Sequence, residues 1–131
     1  MFGASIGSRV YIKPRINIHF PWKLKVGNDV WIGENVEIIN LEHVVIGNNV
    51  CISQNVIICS GNHDYRTAEM FYRNSPIFIS DGVWIAAFSF VGPGVSIGVD
   101  TVVTAMSFVS KDLNANSVYS GNPCKYIKNR W

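Results

Sequence analysis

Ile or Val recurs at every sixth residue along most of the chain: Ile6, Ile12 and Ile18; Val26, Ile32 and Ile38; Ile46, Ile52 and Ile58; then, after a break, Ile79, Ile85, Val91, Ile97, Val103 and Val109. All fifteen positions carry Ile or Val, although those residues make up only 32 of the 131, so composition does not produce the pattern. Four residues after most beats stands another small or branched residue: Val10, Val30, Val36, Val50, Val56, Val83, Ser89, Val95, Thr101 and Ser107. The slots between them ("IGSR", "VGND", "IGEN", "IGNN", "ISDG") hold Gly, Asn and Asp, which tolerate positive φ and favour turns. A period of six fits neither a helix of 3.6 residues per turn nor a hairpin meander. It predicts short strands separated by tight corners, three per coil, stacked as a solenoid with about 18 residues per coil. The expected fold is all-β: a parallel β-helix of about five coils at 6–23, 26–43, 46–63, 79–96 and 97–114.

The interruptions are as informative as the beat. Two-residue slips occur at Leu24-Lys25 and Val44-Val45. The spacing fails altogether over 60–78, which therefore leaves the prism as an excursion loop with His63 ("SGNHDY") at its root. Long loops on rigid repeats are frequently functional. One domain over 1–131 is expected, with prism residues 6–59 and 79–114 and a C-terminal tail over 115–131. The outward residue before each beat sorts into three columns. The first face reads Tyr11, Trp31, Cys51, Trp84 and Val102; the second, Asn17, Glu37, Ile57, Phe90 and Phe108; the third, Lys23, His43, His63, Ser96 and Asn114. An apolar outer column marks an interface, and self-association through the first two faces is expected.

Composition narrows the class. The chain is 48% hydrophobic and 15% charged, which excludes disorder, and a formal net charge of +2 gives no support for a nucleic-acid partner. No apolar run reaches the roughly 20 residues of a membrane span and no signal peptide opens the chain. Three cysteines without paired spacing suit reduced thiols and a cytoplasmic location. Basic residues thicken near the end in "PCKYIKNRW".

From the residues alone, His63 reads equally as a turn residue closing the third coil or as a working imidazole that takes a proton from a hydroxyl. Three histidines on a β-helix raise the question of zinc. His19 follows a core beat whereas His43 and His63 precede one, so the imidazoles do not converge and no metal is expected. Cys59, four residues before His63, reads as small-residue packing rather than as a nucleophile. Asn40 interrupts the third strand of its coil and is a candidate for acceptor contact.

The six-residue beat, the loop after the third coil and the closing "VYSGNPCKYIK" together resemble the hexapeptide-repeat acyltransferases, over essentially the whole chain. Within that family, "NVCISQNVIICSGNHDY", "ISDGVWIAA" and "SGNPCKYIK" are most similar to the sugar O-acetyltransferases of exopolysaccharide assembly, the colanic-acid type. The resemblance implies a left-handed β-helix, a homotrimer and acetyl-CoA as acyl donor. Left-handedness comes from it alone, because ordinary crossover rules favour the right hand. It places His63 as general base. It also sets Trp84 near the site and implies coenzyme A contacts from Ala87, Ala105, Ser110, Lys111, Lys125 and Lys128; with a saccharide hydroxyl as the acceptor, the candidate acceptor contacts are Asn40, His43, Asp64, Tyr65 and Trp84. The chain departs from the family pattern in "WIAAFS" and "TAMS", which set Phe88 and Met106 where small residues are usual, and in carrying Lys for Arg in the tail. Those departures keep a second reading open, a silent trimeric scaffold whose cofactor groove is filled; a zinc enzyme of the γ-carbonic-anhydrase kind is a third.

Overall fold

The computed structural model describes residues 2–131 and forms a left-handed parallel β-helix. Three sheets face one prism. The first face stacks Tyr11–Ile12, Trp31–Ile32, Cys51–Ile52, Trp84–Ile85, Val102–Val103 and Ser117–Ser120, closed by the antiparallel Lys125–Asn129. The second stacks Asn17–Ile18, Glu37–Ile39, Ile57–Cys59, Phe90–Val91 and Phe108–Val109. The third stacks Ser5–Ile6, Leu24–Val26, Val44–Ile46, Ile77–Ile79 and Ser96–Ile97. The helical element described is one 3-10 turn at Pro21–Lys23.

Every beat from Val26 to Val109 is buried, as are the intermediate Val30, Val36, Val50, Val56, Val83 and Val95. β-Branched side chains stack well in such a prism because their rotamers are already restricted in extended backbone. The polar members Ser89, Thr101 and Ser107 are buried too, and each hydroxyl donates to a backbone carbonyl, those of Ser89 and Ser107 to Thr104 and that of Thr101 to Asn114. At the third–first corner Asp29, Asn49, Asp100 and Asn116 hold left-handed φ of 51–60°, a region that Asn and Asp enter at least cost among non-glycine residues. The same corner is laced by side-chain caps: the Ser8, Asn28 and Asn48 amides donate to Asn28, Asn48 and Asp81 side-chain oxygens one coil on, at 2.7–2.8 Å.

The columns expected on the first and second faces match the register pair by pair. The third does not: its outward residues are Ser5, Lys25, Val45, Phe78 and Ser96. The two-residue slips are the reason. They lengthen the third-face strands to three residues, so Leu24, Val44 and Ile77 point inward two positions before the beat and are buried. His43 and His63 consequently do not stack as a column. For the same reason the chain rejoins the prism at Ile77, two residues before the expected loop end.

The C-terminal segment is also more ordered than a tail. Leu113 bridges Ile97, and Ser117–Ser120 lies parallel on Val102–Val103, which begins a sixth coil before Lys125–Asn129 turns back. Arg130 fastens the end by donating to the Gly82 carbonyl at 2.7 Å. Val102, placed by the sequence in the outer column, is only 9% exposed and so contributes little to an open face.

Asn40 has a structural position rather than an open one. It is fully buried, its Oδ1 accepts from the Phe20 amide at 2.9 Å and its Nδ2 donates to the Phe20 carbonyl at 2.7 Å. Both polar atoms are thus spent on the coil below, which corrects its assignment to the acceptor. Asn40→Ala removes both partners from the part-buried Phe20 backbone and should cost about 2–4 kcal/mol, read as a lower urea midpoint at unchanged m.

Candidate active site

The excursion is a closed hairpin. The Ser75 amide donates to the Ser60 carbonyl, Arg73 to Asn62 and Asp64 to Phe71, and His63 bridges Tyr72 antiparallel. Its root is pinned further by the Asn62 amide on Asn74 Oδ1 at 3.1 Å. These cross-links hold the His63 backbone in place although the residue itself is exposed.

The ring is fixed from two directions. His63 Nδ1 lies 2.8 Å from the Met70 carbonyl, and the imidazole stacks on Tyr72 with centroids 5.1 Å apart and planes 29° apart. A carbonyl only accepts, so the proton of a neutral imidazole sits on Nδ1 and the lone pair on Nε2. That is the tautomer a general base needs. Asp64, a candidate acceptor contact, turns to Arg66, whose guanidinium Nε and backbone amide donate to it at 2.8 and 3.1 Å. Those two hydrogen bonds hold its carboxyl below the usual carboxylate range. Tyr65 is 84% exposed at the loop and His43 is exposed outside the cleft, its amide on Glu42.

The cleft before His63 has about 310 Å³ and is lined by Ile39, Leu41, Cys59, Gly61, Asn62, His63 and Tyr72. Tyr72 and the Met70 carbonyl are the site groups that reading the sequence missed. Their only trace there is an aromatic pair, Phe71-Tyr72, in an otherwise polar segment. Gly61 and Asn62 also line a second cavity of about 420 Å³ whose wall is the stacked pair Phe90 and Phe108 and whose far end is Ser110. Ser110 in turn opens a third of about 320 Å³ that gathers Lys111 and Lys125. A continuous track therefore follows the second–third corner from His63 to two lysines. Lys128 lies on the same closing strand outside it.

Trp84, Ala87 and Ala105 lie elsewhere. They line a groove of about 440 Å³ on the first–second corner with Ser53, Gln54, Ala86, Val102 and Thr104. Trp84 Nε1 donates to Ser53 Oγ at 3.0 Å, which sets the indole as the groove's wall. Phe88 and Met106 do not line this groove; each follows an alanine that does, and they are 61% and 76% exposed. The filled-groove premise of the scaffold reading is thereby removed. One chain thus carries the His63 cleft on one corner and an alanine-lined groove on another. Among the described residues no three His, Cys, Asp or Glu side chains cluster, and His19 sits against Asn17 at 3.4 Å.

No protein-family model matches the chain. Over 130 residues it is 42% identical to "Putative colanic acid biosynthesis acetyltransferase WcaF" of Escherichia coli (strain K12), covering 99% of this chain and 71% of that protein. The chain belongs to the hexapeptide-repeat acetyltransferases. Its fold superposes on a maltose O-acetyltransferase from Clostridium difficile 630 with a TM-score of 0.90 at 30% identity, covering 95% of this chain and 68% of that one. A hexapeptide-repeat acetyltransferase of Vibrio cholerae O1 biovar eltor, solved with acetyl coenzyme A, gives 0.90 at 25% identity, covering 97% and 72%. This acetyltransferase is therefore an acyl-transfer enzyme built on the same β-helix. No helix in the described residues is long and apolar enough to cross a membrane.

Proposed function

We propose that this acetyltransferase moves the acetyl group of acetyl-CoA to a saccharide hydroxyl, with His63 as general base. The observation that carries the reading is the His63 ring, stacked on Tyr72 and bonded through Nδ1 to a carbonyl, with Nε2 left for chemistry. Nε2 takes the hydroxyl proton as the oxygen attacks the thioester carbonyl carbon. The carbon–sulfur bond then breaks, and the proton held on His63 passes to the departing thiolate. Ser110, Lys111 and Lys125 suit the phosphates of the donor, because two lysines line one cavity and outnumber its one carboxylate, Asp112. The Ala87–Ala105 groove suits its narrow arm.

Those two donor elements lie on different corners of one chain, so a complete site needs a second copy. We place the groove of one subunit against the His63 corner of its neighbour in a trimer. The exposed Tyr11, Trp31 and Trp84 on the first face supply contact surface for that assembly. Coenzyme A at about 100 times its Kd should stabilise the protein by about 2.7 kcal/mol, seen as a higher Tm in a thermal-shift titration. No shift at millimolar coenzyme A would sink the reading. Light scattering at micromolar concentration should report three chains per particle, and a monomer there would remove the intersubunit site.

A further inference from the structure

Each coil turns the first–second corner through one residue in left-handed backbone: Arg15, Asn35, Asn55, Phe88 and Met106, with φ of 58–64°. Asn enters this region readily, whereas a bulky apolar side chain is strained there. The two upper rungs accept that strain without recovering it inside the chain. Phe88 and Met106 are 61% and 76% exposed and belong to no buried cluster. Their amides continue the coil ladder, donating to the Gln54 and Ala87 carbonyls, so nothing in the backbone requires these side chains. They are 18 residues apart, the coil offset set by Trp84 with Val102 and Phe90 with Phe108, and so stand one above the other. Each directly follows an alanine that lines the groove, Ala87 or Ala105.

We propose that Phe88 and Met106 form an apolar rail that clasps the pantetheine arm of the acyl donor and so determine donor affinity in this enzyme. The inference rests on reading the adjacent groove as part of the coenzyme A site. Strained, exposed apolar residues that lie outside the buried core point to an external contact. The groove they border contains no charged residue, which suits an uncharged arm of methylenes and amides; the lysines that suit phosphates are at the other corner.

The test uses Phe88→Asn and Met106→Asn, which install the residue already present at Asn35 and Asn55. Each variant should melt higher by roughly 2–5 °C as strain is relieved. Each should also bind coenzyme A about five- to tenfold more weakly by titration calorimetry, from the lost apolar contact. Adenosine 3′,5′-bisphosphate, which has the nucleotide phosphates but no pantetheine arm, should bind wild type and variants alike. Unchanged or tighter coenzyme A binding overturns the proposal, as does an equal loss for both ligands or a lower Tm. A smaller particle by light scattering also overturns it, by assigning the rail to a subunit contact. Wild-type protein that fails to bind coenzyme A at all would overturn the donor-site reading as well, a result distinct from variants that match a wild type that binds.

Discussion

His63→Ala is expected to lower kcat by roughly 10² to 10⁴ with a saccharide acceptor and acetyl-CoA. Fold and coenzyme A affinity should stay near wild type, because His63 is exposed and the backbone bonds from Arg73 to Asn62, Asp64 to Phe71 and Ser75 to Ser60 still hold its loop when the imidazole's bond to Met70 is lost. Tyr72→Leu removes the stacked ring but keeps the Met70 carbonyl, so it should reduce kcat less. His43→Ala is the control: His43 lies outside the cleft and should leave kcat unchanged. Full turnover in His63→Ala would reduce His63 to a residue that merely closes a coil.

Ile58→Ala should be the most damaging single truncation in the prism. Ile58 is fully buried and sits between Ile38 below and Val91 above on the second face. Neighbouring coils are bonded to one another and cannot collapse inward, so both the lost transfer free energy and the cavity count against the variant. A loss of about 3–5 kcal/mol is expected. In a chain of this length that corresponds to a Tm lower by roughly 10–15 °C, measured by calorimetry. Lys25→Ala, an outward position on the third face, should change Tm by little. A small loss at Ile58 would mean that the column is not the tightly packed core described above.

Much of this molecule was legible before any coordinates. Each core residue meets the equivalent residue of the coils above and below, so a requirement for stacked Ile and Val is written into the chain as a fixed period. That period determined the all-β prism, the first two faces, their outward columns and the point at which His63 leaves the coil. Corner chemistry was legible for the same reason: left-handed turns select Asn, Asp and Gly at most repeats, with Arg9, Arg15, Phe88 and Met106 as the exceptions. Motif resemblance then carried the activity and the candidate residues, including Ser110, Lys111 and Lys125, which the structure brings to one cavity.

What escaped the sequence depends on contacts that have no period. A two-residue slip can be seen at Val44-Val45, but whether it lengthens a strand or bulges a corner is decided by inward packing of Leu24, Val44 and Ile77, so the third column came out wrong. Asn40 looked like an exposed polar interruption until its two bonds to Phe20, 20 residues away, were in view. The carbonyl that orients His63 belongs to Met70, and a carbonyl leaves no mark in the identity of the residue that bears it. Only the tertiary structure could decide that the His63 cleft and the alanine groove lie on separate corners of one prism, because that follows from winding three faces around a common core rather than from any spacing along the chain.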